Sequence, residues 1–171
     1  KYKNIRFKDI KFNSKDCKPN DIFFAIQGNN SDGNSYIYDA INNGAKIIVS
    51  SLKLKRSNLK NVLFIRCKNP RKMLSEISSR FYKIKPKNII AVTGTNGKTS
   101  IANFYQQILS LNNKKVASIG TLGVLSKKFK LKTNNTSIDP VGVHKILQKL
   151  KKLDIDNVII EASSHGLKQF R

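Results

Sequence analysis

A short apolar run, Ile89-Ile90-Ala91-Val92, breaks into Thr93-Gly94-Thr95-Asn96-Gly97-Lys98-Thr99 and passes directly into a stretch with helical periodicity. Few folds accommodate that order. A buried strand must end in a tight, glycine-bearing turn that opens a helix, which is the signature of a parallel α/β unit. Backbone N–H groups of such a turn face a common concavity at the positive end of the helix dipole, where a polyphosphate is held. Gly94, Thr95, Asn96, Gly97, Lys98 and Thr99 are the candidate loop residues. Lys98 has the reach for β- and γ-phosphates, and the Thr99 hydroxyl can ligate Mg²⁺. The general phosphate-loop pattern has a further glycine where Val92 stands. The other reading is a solvated strand-to-helix turn that happens to carry Gly-Lys-Thr.

Two blocks are visible along the chain. In the first, Ile22–Ile26 reads as a buried strand running into a polar loop, Gly28 to Gly33. A short helix from about Ser35 carries Ile37, Ala40 and Ile41 and closes at Gly44. Strands are expected at Ala45–Val49 and Val62–Ile65. Asn69-Pro70 then caps a helix with Met73, Leu74, Ile77 and Phe81 on one face. The charged, proline-bearing stretch Lys83 to Lys87 marks the domain boundary, giving residues 1–85 and 86–171.

The second block opens with strand Asn88–Val92. Its helix shows Ile101, Phe104, Tyr105, Ile108 and Leu109 at i, i+3, i+4, i+7, i+8 spacing. Val116–Ile119 returns as a strand, and Ser126 to Asn135 reads as a hairpin or loop. Asp139 caps a helix that starts at Pro140 and turns Val143, Ile146, Leu147, Leu150 and Leu153 inward. Val158-Ile159-Ile160 is the third strand. The fold class is therefore α/β: a small N-terminal α/β domain followed by the first βαβαβ half of a phosphate-loop, parallel-sheet domain. A three-stranded parallel sheet leaves edges open, so the chain is expected to be a truncated piece of a longer protein that supplies further strands.

The net charge of +23 comes from 27 Lys and 6 Arg against 10 acidic residues. Those lysines are scattered along the chain, and specific base readout leans on Arg and on aromatic stacking patterns that the sequence lacks. Nucleic acid is not the expected partner; a general preference for anionic ligands is. Cys17 and Cys67 have no paired spacing and read as reduced thiols. No apolar run has the length of a membrane span and no signal-peptide pattern occurs, so a cytoplasmic protein is expected.

The third strand runs straight into Glu161-Ala162-Ser163-Ser164-His165-Gly166-Leu167. Ligands of parallel sheets gather at the carboxyl ends of strands, so Glu161 is a candidate Mg²⁺ ligand beside Thr99. Its alternative is a strand-end carboxylate facing solvent. His165 can bond an anionic ligand or simply order its loop, and His144, on a helix, reads as structural. A nucleophilic serine is not indicated, since Gly-x-Ser-x-Gly is absent.

The phosphate loop together with Glu161–Leu167 resembles the ATP-dependent Mur ligases of peptidoglycan synthesis, in particular the branch that adds the third residue of the stem peptide. The similarity extends over nearly the whole chain. It includes Lys18-Pro19-Asn20-Asp21-Ile22-Phe23-Phe24-Ala25 and Ser31-Asp32-Gly33 in the front block, and Gly120-Thr121-Leu122-Gly123 and Asn135-Thr136-Ser137 in the second. The resemblance implies an N-terminal UDP-binding domain and a central ATPase domain, with ATP and Mg²⁺ as cofactors. Lys98, Glu161 and His165 would be the catalytic residues. Ser14, Asn29, Asn30 and Ser31 would hold the uracil nucleotide. Thr136, Ser137, Ser163, Gln169 and Arg171 would hold the muramoyl and diphosphate part. Asn13-Ser14-Lys15 stands where the family usually has Asp-Ser-Arg, and Asn29-Asn30-Ser31 where it often has His-Gln-Ala.

The implied substrates are UDP-MurNAc-L-Ala-D-Glu and a diamino acid, meso-diaminopimelate or L-lysine, joined by a monomeric enzyme. The competing readings are another Mur-type or folylpolyglutamate-type ligase, which shares the phosphate loop, and a basic phosphate-loop module that binds nucleic acid.

Overall fold

The computed structural model describes residues 6–28, 31–53, 61–132 and 138–171. The chain divides into two compact units, residues 1–74 and 75–171.

The first unit is built on a four-stranded sheet in the order β1-β2-β3-β4, parallel throughout. Its strands are β1 (Ile10–Lys11), β2 (Ile22–Phe24), β3 (Ile47–Ser50) and β4 (Leu63–Arg66). Each residue of β2 and β3 is buried, which is why they read as unbroken apolar runs rather than alternations. Two 3-10 turns, Ser14–Asp16 and Gly33–Tyr36, flank β2; Asn13 and Asp32 cap them by accepting N–H bonds from Lys15 and Asn34. Helix α1 (Ile37–Asn42) follows the second turn. Ile37 and Ala40 of α1 pack with Cys17, Phe23, Ala25, Ala45 and Ile48 in one core. Helix α2 (Pro70–Phe81) starts where the Asn69 carboxamide accepts the Lys72 N–H, and it runs across the division between the units.

The second unit holds a five-stranded sheet in the order β5-β9-β6-β7-β8. Strands β5 (Asn88–Val92), β9 (Asn157–Glu161) and β6 (Val116–Gly120) are parallel, as the βαβαβ pattern demands. Strands β7 (Gly123–Ser126) and β8 (Lys130–Leu131) add an antiparallel ribbon to β6. The hairpin expected after Ser126 is therefore one end of a ribbon that begins at Gly123. Within β7 only Val124 and Leu125 are apolar, too short a run to read as a strand.

Residues alternate across the sheet. Ala117, Ile119, Val124 and Val158 meet Ile146, Leu147 and Leu150 of α4 (Pro140–Lys152) in the main core. Asp139 caps α4 by accepting the Gly142 N–H, with Pro140 in the first turn. On the opposite face, the Ser118 hydroxyl bonds Gln106 of α3 (Lys98–Leu111), so the unit is an α/β/α sandwich.

The apolar stripe of α3 does not face the sheet as a single seam. Ala102 is buried, while Ile101, Phe104 and Ile108 are each more than half exposed. The apolar residues of α3 span a wide arc, and only its Ala102 flank turns to β6 and β9. Edge strand β5 is likewise open, with Ile89 and Ile90 both exposed on opposite faces.

His144, on α4, is half-buried, and its Nδ1 has no hydrogen-bond partner among the described residues. Burial holds its imidazole below the ordinary value of 6.5, and the Lys85 ammonium pushes the same way. The folded state thus favours the neutral ring, and the unfolded chain takes up the proton first as pH falls below 6.5. Stability contributed by the neutral ring is complete above that value and declines beneath it. Between about pH 7 and about pH 5, His144→Gln is expected to lose less melting temperature than the wild type. Circular-dichroism melts across that range check this.

Candidate functional site

Because β5, β9 and β6 run parallel, their carboxyl ends meet at one end of the sheet. Three segments leave from there: the phosphate loop after Val92, Ala162-Ser163 after Glu161, and the turn Thr121-Leu122 after Gly120. Such crevices are where parallel sheets bind ligands.

The loop is shaped by Gly97, which stands at the N-cap of α3 with φ +79. A side chain there would meet nothing within 4 Å, so the demand for glycine is conformational rather than spatial. The Ile101 N–H is already bonded to Gly97 O, leaving the earlier N–H groups of the helix to face the crevice. Lys98 folds over this loop, its Nζ donating to Gly94 O at 2.6 Å and Thr95 O at 3.1 Å. The ammonium therefore sits at the mouth of the loop. A cavity of about 330 Å³ joins Thr95 through Ser100 with Thr121, Glu161 and Ser163.

Glu161 is the buried charge of the site. It pairs with Val92 in the β5–β9 register, and it shares a sheet face with Ile159, toward the first turn of α3. Its Oε2 accepts the Thr99 hydroxyl at 2.9 Å and the Thr121 hydroxyl at 3.0 Å; its Oε1 accepts the Thr121 N–H at 3.3 Å. Phosphate loop and carboxylate, expected from sequence to meet across the sheet, do meet. Thr121 completes the cluster and was not among the candidates; its signal is its place immediately after β6, the strand neighbouring β9.

A hydroxyl and a carboxylate converging at this distance are hard oxygen donors of the kind Mg²⁺ takes, which typically keeps waters and nucleotide phosphates as its other ligands. Among the described residues no group of three or more His, Cys, Asp or Glu could hold a metal by itself, so a cation here would depend on such additional ligands.

A second cavity, about 190 Å³, adjoins on the far side of Glu161. Ser163 and Arg171 line it with apolar Ile138, Val143, Ile160 and Leu167. Ser163 Oγ also accepts the Gly166 N–H and so starts α5 (Ser164–Lys168). His165 and Gln169 lie one helical turn apart and touch, with Nε2 of each 2.8 Å from the other. His165 is exposed and lines neither cavity, whereas Gln169 Oε1 is buried with no partner. Thr136 and Ser137 lie outside the described residues.

In the first unit, Ser14 and Ser31 line one cavity of about 380 Å³ together with Asn13, Lys15, Phe12 and Tyr36. Asn29 and Asn30 lie outside the described residues. Phe12 and Tyr36 are two-fifths exposed at this cavity, flat surfaces of the sort a planar ring stacks on. Neither stood out in sequence, because an isolated aromatic beside a short strand looks like core.

Residues 6–82 match the Mur ligase family catalytic-domain model and residues 92–171 match the Mur ligase middle-domain model. The chain belongs to the Mur ligase family. It is 40% identical over 174 residues to a UDP-N-acetylmuramoyl-L-alanyl-D-glutamate--2,6-diaminopimelate ligase of Rickettsia montanensis, covering 99% of this chain and 36% of that protein. A ligase of the same name from Wigglesworthia glossinidia brevipalpis is also 40% identical, with 98% and 35% covered. The chain thus spans about a third of the length of the curated relatives it matches. A solved structure of a ligase of that name superimposes with a TM-score of 0.81 at 28% identity, over 96% of this chain and 33% of that one. The Mur ligase fold also recurs in MurF from Thermotoga maritima, solved in complex with ADP, at a TM-score of 0.61 and 20% identity over 95% of this chain and 33% of that one.

Substituting Gly97 by alanine should cost about 1–2 kcal/mol, since only backbone strain opposes the new methyl. Gly97→Asn should cost less, because asparagine tolerates the left-handed region. Urea unfolding of the three chains gives the comparison; equal costs for Ala and Asn would count against a purely conformational demand.

Proposed function

We propose that this chain is the nucleotide-sugar and ATP-binding portion of a UDP-N-acetylmuramoyl-tripeptide synthetase (MurE), a cytoplasmic ligase of peptidoglycan precursor synthesis. Among the described residues no helix is long and apolar enough to cross a membrane. The reaction joins a diamino acid, 2,6-diaminopimelate by the names of the relatives, to the D-glutamate carboxylate of UDP-MurNAc-L-Ala-D-Glu at the expense of ATP. A carboxylate is a poor electrophile because its oxygen leaves badly. Phosphorylation converts it into an acyl phosphate that an amine attacks, releasing phosphate.

One observation carries this reading: the Thr99–Glu161 contact places a hydroxyl and a carboxylate at the mouth of a phosphate loop that also presents Lys98. Lys98 and the N–H groups of the loop would neutralise charge on the β- and γ-phosphates. Thr99 and Glu161 would hold Mg²⁺, which supplies electrostatic stabilisation of the transferring phosphoryl group. Ser163, Gln169 and Arg171 would orient the muramoyl and diphosphate part beside Glu161, Arg171 as the planar donor suited to phosphate oxygens. The catalytic part given to His165 rests on the resemblance and would need α5 to turn it inward. In the first unit, Ser14 and Ser31 would bind the uridine nucleotide, with Tyr36 or Phe12 against the base.

The division at Lys83 to Lys87 is retained as the functional boundary, with residues 1–85 and 86–171 as the two ligand-binding domains, and the active species is taken as a monomer. The open β5 edge and the exposed stripe of α3 are surfaces for the additional sequence that the longer relatives carry. On that reading the amino-acid-binding part is missing, and these residues alone should give no tripeptide product.

Two outcomes are expected of the purified chain. A fluorescent ATP analogue should bind, and Lys98→Ala should weaken it about tenfold; in a complete enzyme the same change should cost on the order of 10²-fold in rate. Titration with the UDP-muramoyl dipeptide should release or absorb heat at millimolar concentration or below. Indifference to both ligands, with tight and steeply salt-dependent oligonucleotide binding, would favour the nucleic-acid module instead.

A further inference from the structure

We propose that Thr121 is a positioning residue that fixes the Glu161 carboxylate for the cation, and that Gly120 is glycine because the carboxylate occupies the place of its side chain. The inference rests on the nucleotide and Mg²⁺ reading of the same cavity.

Of the three hydrogen bonds that reach the Glu161 carboxylate among the described residues, two come from Thr121, one onto each oxygen. The third comes from Thr99. If the Thr99 oxygen serves a cation, its hydroxyl is no longer dedicated to Glu161. The donors left to hold the carboxylate in its rotamer are then both on Thr121. That residue also lines the phosphate-loop cavity, so its hydroxyl stands where the carboxylate must be held.

Gly120 makes the arrangement possible. A Cβ built there would lie 2.1 Å from Glu161 Oε1, 2.3 Å from Cδ and 2.6 Å from Cγ. The side chain of Glu161 is therefore folded across the Gly120 backbone and reaches the turn. The pair Gly120-Thr121 acts as one device: the first residue provides the space and the second provides the donors. Gly120 pairs with Gly123 in the β6–β7 register, so the hairpin fixes both residues relative to β9.

The test measures binding of a fluorescent ATP analogue by the 171-residue chain, without divalent metal and across a Mg²⁺ titration. Thr121→Val keeps the shape and the N–H and removes the hydroxyl; Thr121→Ser restores it. Gly120→Ala puts a methyl where the Glu161 side chain lies, from Cγ to Oε1, and so displaces the carboxylate. Thr121→Val and Gly120→Ala are expected to raise the Mg²⁺ concentration for half-maximal tightening about fivefold or more, with a distinctly smaller change in metal-free affinity. Thr121→Ser is expected to lie close to wild type. A folded Thr121→Val with the wild-type Mg²⁺ requirement overturns the proposal. So does a Thr121→Ser as impaired as the valine variant, or an equal loss of metal-free affinity, which would mark Thr121 as structural. If circular dichroism shows that Thr121→Val does not fold, Gly120→Ala decides by the same criteria. A wild-type chain whose binding ignores Mg²⁺ would instead sink the underlying reading.

Discussion

The Glu161 carboxylate sits at the end of a strand buried between two others, and the rest of the crevice is arranged around the need to satisfy it. A carboxylate removed from water costs several kcal/mol unless donors replace the lost hydration. Here the donors come from two different segments, the first turn of α3 and the β6–β7 turn. Those segments are neighbours only because the chain crosses twice in parallel, placing β9 between β5 and β6. Sheet order is thus a condition for the chemistry: exchange β9 with β6 and Glu161 would no longer face Val92 at the foot of the phosphate loop.

The same crevice contains a second balance. Lys98 satisfies its ammonium on the carbonyl oxygens of Gly94 and Thr95. Those bonds hold the side chain over the loop, so it stays near the concavity rather than roaming in solvent. An incoming polyphosphate offers the ammonium a full negative charge in place of two neutral carbonyl dipoles, so Coulomb attraction favours the exchange. The loop is therefore pre-formed by bonds that an anion can outbid, which limits the ordering entropy that binding must overcome.

Legibility in the sequence followed the range of the interaction. Strand β5, the phosphate loop, and helices α2 and α4 are specified by neighbours within one or two turns, and their caps at Asn69 and Asp139 announce the helix starts. Glu161 could be paired with the loop in advance because strands of a parallel sheet end together. Thr121 could not, since its role depends on which strand lies beside β9. The stripe on α3 misled for a related reason. Periodicity reports that a face is apolar and is silent on what covers it, and α3 uses Ala102 toward the sheet while Phe104 stays exposed. Ribbon strand β7 was missed because two apolar residues are below the length at which alternation can be counted.

Part of the large positive charge lies away from this local geometry. Lys114, Lys115, Lys127 and Lys128 border a cavity at the opposite end of β6 from Gly120. Strand β6 runs from Val116 to Gly120, and at about 3.3 Å per residue its ends lie well beyond a Debye length of about 8 Å. Those lysines are screened from a phosphate at the loop and cannot set its affinity. What they can do is raise the average potential and draw anions toward the surface as a whole. On the proposed reading, selection would fall to the few groups lining the crevice: N–H donors fixed by Gly97, the ammonium of Lys98, and a carboxylate held in place from across the sheet. A chain with far fewer lysines and the same three features would keep the site, whereas one with all its lysines and a displaced Glu161 would not.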